Sequence, residues 1–74
     1  MAKIEKIIEK MKNQPKGITF AEIKKVLEHN GYSEIRIRGS HHHFRNEQGQ
    51  VTTIKRENPV DIQAVKDALN RIGE

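Results

Sequence analysis

Apolar residues recur along this chain with a helical period at both ends and a strand period in the middle. Between Ala2 and Asn13, Ile4, Ile7, Ile8 and Met11 fall at the i, i+3, i+4, i+7 spacing of one helix face, with Lys and Glu elsewhere. This predicts an amphipathic helix. Gln14-Pro15-Lys16-Gly17 ends it, because proline disfavours helical geometry in the residue before it and glycine permits a turn. Thr19-Phe20-Ala21-Glu22 then has the Thr-x-x-Glu form of a capping box, and Ile18 before the cap can meet Ile23 as a hydrophobic staple. A second helix is expected from Phe20 to about His29, with Phe20, Ile23, Val26 and Leu27 inward and Asn30-Gly31 as its stop.

From Tyr32 to Arg38 the pattern alternates, Ile35 and Ile37 against Glu34, Arg36 and Arg38, as in a half-buried strand. Gly39-Ser40 suits a II′ hairpin turn, whose first central residue needs positive φ. The next strand then begins at His41, and the turn sets Arg38 opposite His41, Ile37 opposite His42, Arg36 opposite His43, Ile35 opposite Phe44 and Glu34 opposite Arg45. In that register Ile35, Ile37, His42 and Phe44 face the core, while Arg36, Arg38, His41, His43 and Arg45 face outward. A three-residue loop, Glu47-Gln48-Gly49, keeps this sorting for Val51 to Lys55 and sets Ile54 beside His42 and Lys55 opposite His41. A two-residue Gln48-Gly49 turn would send Ile54 to the charged face, since a slip of one residue swaps every side chain.

Asn58-Pro59-Val60-Asp61 reads as the start of a last helix, with Asn58 as cap and Pro59 at the first position. Ile62, Val65, Ala68, Leu69 and Ile72 form its buried stripe, and Gly73 closes it. The expected fold is α+β, in the order α-α-β-β-β-α, with a three-stranded antiparallel sheet and the helices on one face.

With 74 residues the chain reads as one domain, since so short a polypeptide buries only about 60% of its unfolded surface. It has no cysteine, so neither a disulfide nor a thiolate metal site supplements a small core, and a reducing, cytoplasmic setting is expected. No apolar run is long enough to span a bilayer, and Met1-Ala2-Lys3 leads into charged helix rather than a signal peptide. The net charge of +4 becomes informative once it is located. Between Ile35 and Arg56 five basic residues (Arg36, Arg38, Arg45, Lys55, Arg56) face one acidic residue, Glu47, and elsewhere the signs cancel. The excess therefore lies on the histidine-bearing strands. That suits an anionic partner such as nucleic acid, and equally a solvated edge that deters aggregation.

Three adjacent imidazoles at a strand's start call for a chemical reading. For His42 the simplest is an inward ring that fills space and satisfies one hydrogen bond. His41 and His43 share a face and could both ligate a metal, but no carboxylate stands at a spacing that completes a set of three or four ligands, so no metal is assigned. The remaining chemistry is acid–base work on a phosphodiester. An imidazole takes the proton from a ribose 2′-OH, the oxygen attacks the adjacent phosphate, and Arg and Lys clamp the anion. Positive neighbours favour the neutral, proton-accepting form of an imidazole. On chemistry alone this ranks above a metal and level with a plain binding surface.

The run Arg38-Gly39-Ser40-His41-His42-His43-Phe44, preceded by the helix from Phe20 to Glu28 with Asn30-Gly31-Tyr32 and followed by a glycine-containing hairpin, resembles the HicA family of toxin ribonucleases. Gly-Ser-His-x-x-Phe is that family's most specific mark. The resemblance covers Ile18 to Ile72 and implies a fold like double-stranded RNA-binding domains. It also implies activity on mRNA and a silencing partner, the antitoxin HicB; the enzyme reading assigns no cofactor. By position the family's catalytic histidine falls on His41, and its turn glycine and following serine on Gly39 and Ser40. Residues 18–74 then form the HicA-like core and residues 1–17 an N-terminal helical extension.

The resemblance turns the outer face into an RNA track. In the enzyme reading Arg38 and Lys55 are expected to clamp phosphate beside His41, and Arg36, Ser40, His43 and Arg45 to extend the contacts; His43 has no fixed role in the family. Two departures stand out: the extension, and Lys55-Arg56-Glu57 where many relatives have a proline and a nearby second histidine. A noncatalytic RNA-binding module of the same architecture is the alternative. Against it, the start of the last helix reads Asn58-Pro59-Val60-Asp61, where such modules usually carry lysines. A protein-binding role for the helices or strand edges is compatible with either.

Overall fold

The computed structural model describes residues 3–74. Ala2, which the helical pattern includes, lies outside the described residues. Lys3–Asn13 forms α1, with Met11 buried and Ile7 and Ile8 against the core. A single 3₁₀ turn, Pro15–Gly17, follows and leads to α2, Phe20–His29.

Both halves of the capping box form. The Glu22 amide donates to Thr19 Oγ1 at 3.2 Å and the Thr19 amide donates to Glu22 Oε1 at 3.0 Å. That Thr19 amide, more than any other group, holds the Glu22 carboxyl below its ordinary value; Lys10, 3.2 Å away, adds to the effect, and partial burial opposes it. Phe20, Ile23, Val26 and Leu27 are all buried, and Gly31, at φ +88°, ends the helix as its left-handed conformation allows.

Ser33–Arg38 (β1), His41–Arg45 (β2) and Val51–Lys55 (β3) form an antiparallel sheet in the order β1-β2-β3. Gly39 has φ +58° and no residue other than glycine has positive φ among those described, as a II′ turn at Gly39-Ser40 requires. Gly49, at φ +84°, completes the three-residue loop. Asn46 closes that loop. Its amide donates to the Gln50 carbonyl at 3.1 Å, and its Oδ1 accepts from the amides of Gln48 and Gln50 at 3.1 and 2.9 Å.

All five β2–β3 pairs fall in the expected register, including His41 with Lys55 and His42 with Ile54. The β1–β2 register holds for Arg38–His41, Ile37–His42 and Arg36–His43 and then breaks at a bulge, beyond which Glu34 lies opposite Phe44 and Ser33 opposite Arg45. This corrects three expectations. Ile35 does not face Phe44, Glu34 does not face Arg45, and neither Ile35 nor Ile37 enters the core: each is 54% exposed. Ile37 shares a face with His42, but β1 is an edge strand. Alternation dictates which side a residue takes, not whether a helix covers that side.

The start of the last helix is also corrected. α3 runs Ile62–Arg71 and its cap is Asp61, whose Oδ2 accepts from the Gln63 amide at 3.1 Å. Asn58 caps a different helix. Its Oδ1 accepts the Phe20 amide of α2 at 2.8 Å, and two residues on the Val60 amide donates to the Ile18 carbonyl at 2.7 Å. With Val60 buried as well, 58–60 runs as a strap along the start of α2 and the helix begins after it.

All three helices lie on one side of the sheet. His42, Phe44, Thr52 and Ile54 are buried beneath them with Met11, Ile18, Phe20, Val65 and Ala68, while His41, Arg45, Val51, Thr53 and Lys55 alternate outward. The fold is α+β with the expected order of elements.

Candidate active site on the open sheet face

The outward side chains form a grid across the three strands. Its first row is Arg38, His41 and Lys55; the second Arg36, His43 and Thr53; the third Ser33, Arg45 and Val51. Gly39 and Ser40 make the turn from which the first row emerges, and the Ser40 carbonyl accepts the Arg56 amide at 2.7 Å, tying the chain beyond Lys55 to that turn. The structure places the nominated residues along one face: His41 between two cations, Ser40 in the turn beside it, Arg36 and His43 in the next row and Arg45 in the row beyond.

The three imidazoles have three different settings. His41 is exposed and makes no side-chain hydrogen bond among the described residues. His42 is 7% exposed. Its Nδ1–H donates to Glu34 Oε2 at 2.7 Å, and its ring lies against that of Phe20, with centroids 4.6 Å apart and planes at 56°. It fills the core and satisfies one hydrogen bond, as the pattern suggested. His43 is half-buried on the outer face, with Nδ1 2.8 Å from Thr53 Oγ1.

Two partners escaped the sequence reading. Glu34 reaches His42 because of the bulge, which no pattern signalled. Thr53 was within reach, since the register that pairs His41 with Lys55 puts Thr53 directly opposite His43. Among the described residues no group of three or more His, Asp or Glu is arranged to hold a metal ion. No helix among them is long and apolar enough to cross a membrane.

A family model described as HicA toxin of bacterial toxin-antitoxin matches residues 20–73. The chain belongs to the HicA toxin family. The matched stretch opens on the first residue of α2, takes in all three strands and ends at Gly73, so it contains the whole histidine face, while α1 lies before it. Neither a curated protein nor a solved structure matches the chain. Membership makes the protein a toxin of a toxin–antitoxin system, in a family of mRNA-cleaving toxins.

Proposed function

We propose that this HicA-family toxin is an endoribonuclease that cuts mRNA in the cytoplasm by metal-independent acid–base catalysis, with His41 as the proton-transfer residue, and that a HicB-like antitoxin silences it. The observation that carries this reading is the position of His41. It is exposed at the exit of the Gly39-Ser40 turn, with Arg38 and Lys55 on the neighbouring strands, inside the part of the chain that matches the family.

Each role follows from that arrangement. The two cations attract the phosphodiester and oppose the charge that gathers on its oxygens as the ribose 2′-oxygen attacks. The imidazole, unengaged by any side chain among the described residues, is available to take the 2′-OH proton. Arg36, Ser40, His43 and Arg45 extend the contacts along the backbone of a single strand, and an open face rather than a cleft suits a polymer substrate. Tyr32, Phe20 and Phe44 are the chain's only aromatics and all three are buried, so stacking contributes little and binding is mainly electrostatic.

The test compares wild type with His41→Ala on a long RNA with chelator present, alongside growth arrest on expression with and without the antitoxin. The substitution removes an exposed ring, so stability should change by no more than about 0.5 kcal/mol, while cleavage should fall by about 10² to 10⁴. A folded His41→Ala protein that cuts RNA as fast as wild type refutes the assignment. Binding without cleavage in both proteins makes the face a noncatalytic RNA-binding module.

A further inference from the structure

Cleavage by the ribose 2′-oxygen requires two proton movements. When that oxygen attacks phosphorus, the bond to the 5′-oxygen of the next nucleotide breaks, and this oxygen leaves as a high-energy alkoxide unless it receives a proton. The attacking and leaving oxygens lie roughly in line through phosphorus, so the base and the acid belong on either side of the phosphate.

His41 and His43 flank the buried His42 on β2 and face the same way, two strand residues or about 7 Å apart. That separation accommodates one phosphate between two imidazoles. The two rings differ in what holds them. His43 Nδ1 lies 2.8 Å from Thr53 Oγ1, whereas among the described residues no side chain bonds the His41 ring. An imidazolium carries hydrogen on both nitrogens, so in that form Nδ1–H donates to the threonine oxygen and Nε2–H is left for substrate. Once the Nε2 proton has gone, the remaining Nδ1–H keeps the same bond. Thr53 therefore fixes the ring through both states of a proton donor. The neighbours across the strands differ as well: His41 lies between Arg38 and Lys55, while His43 lies between Arg36 and Thr53.

We propose that His43 is the general acid of the reaction and Thr53 its positioning residue, an inference that rests on the reading of His41 as the base. His41 accepts the 2′-OH proton as the O2′–P bond forms. The P–O5′ bond breaks, and O5′ takes the Nε2 proton of His43. The products are a 2′,3′-cyclic phosphate and a 5′-hydroxyl. His41 is left protonated and His43 neutral, and exchange of one proton through water restores the enzyme without an oxidant, a metal or a second substrate.

The experiment replaces the leaving atom. An RNA carrying sulfur in place of the bridging 5′-oxygen, at a cleavage site first mapped on ordinary RNA, releases a thiolate. Thiols ionise near pH 8.5, far more readily than alcohols, so the thiolate needs no proton to depart. On ordinary RNA both His41→Ala and His43→Ala should lose about 10² to 10⁴ in rate. On the sulfur-substituted RNA, His43→Ala should recover to within about tenfold of wild type and His41→Ala should not. His43→Gln, which can keep a hydrogen bond to Thr53 but has no proton to give, should behave as His43→Ala and guards against misfolding. Thr53→Val should cost about 10- to 100-fold on ordinary RNA, the worth of one hydrogen bond to a charged group, and narrow the alkaline side of the pH–rate profile, with Thr53→Ser restoring both.

If neither histidine variant is rescued by sulfur while His41→Ala is inactive, His43 is not the acid and the base assignment stands. Rescue of His41→Ala instead reverses the two roles and overturns the proposal. If His41→Ala is fully active on ordinary RNA, the underlying reading fails, whatever His43 does.

Discussion

Removing the Glu34 carboxylate probes how the edge strand is fastened beneath the histidine face. The His42 ring is 7% exposed and donates from Nδ1 to Glu34 Oε2 at 2.7 Å. Glu34→Ala leaves that N–H buried with no acceptor, which costs about 1 to 3 kcal/mol. The other contact of Glu34, with Lys24 Nζ at 3.9 Å, joins two partly exposed groups and adds at most a few tenths of a kcal/mol. For a chain of this size each kcal/mol lowers the melting temperature by about 4 to 8 °C. Urea unfolding of wild type, Glu34→Ala, His42→Leu and the double variant closes a thermodynamic cycle. Once His42 is leucine no donor is stranded, so the double variant should be more stable than the two single costs predict, by about 1 kcal/mol or more. A cost below about 0.5 kcal/mol for Glu34→Ala, together with strict additivity in the double variant, refutes the view that this pair joins β1 to the core.

Glu22→Gln tests the capping box through pH. The folded state favours the Glu22 carboxylate, so its contribution is complete above the ordinary value of 4.5 and fades as pH falls through the lower folded value. The stability difference between wild type and Glu22→Gln should therefore be constant near neutrality and shrink on acidification below that value; a difference independent of pH contradicts the assignment. Gly39→Ala tests the turn. At φ +58° the added Cβ meets no atom within 4 Å, so the cost is backbone strain alone, about 1 to 2 kcal/mol in urea unfolding, and Gly39→Asn should cost less. Neutralising Arg36 and Arg38 to Gln should weaken binding to unrelated RNAs alike and lower the slope of log affinity against log salt by about 0.7 for each phosphate that is no longer neutralised; an unchanged slope moves the RNA track off this face.

Local rules accounted for most of the fold. The capping box, the II′ turn and the glycine-bearing loop depend on residues within a few positions of one another, and each forms as the pattern implies. The β2–β3 register follows from the loop and the Arg38–His41 pairing from the Gly39-Ser40 turn, and the two together place His41 between Arg38 and Lys55. What the sequence did not reveal depends on contacts between distant segments. Ile35 and Ile37 alternate like core residues, yet whether an edge strand is covered is decided by where helices from both ends of the chain come to rest. Asn58-Pro59 has the form of a helix start, but the Asn58 amide oxygen is taken by the Phe20 amide, 38 residues away. The Glu34–His42 bond needs a bulge that places two β1 residues where regular pairing has one, and nothing in the alternation of Ile35 and Ile37 announces it.

The stretch that identifies the family and the body that folds do not share a boundary. The match begins at Phe20, yet Met11 and Ile18 are sealed in the core, Thr19 caps α2, and the Ile18 carbonyl receives the amide of Val60 from the strap that leads into α3. Ancestry is legible in the sheet and its histidines, while cohesion is distributed over a longer span that includes α1. A transplant of the histidine face into another scaffold, or a minimal version cut to the recognisable stretch, would carry the chemistry and leave behind part of the framework that holds β2 and β3 level. For this toxin the portable unit is larger than the recognisable one.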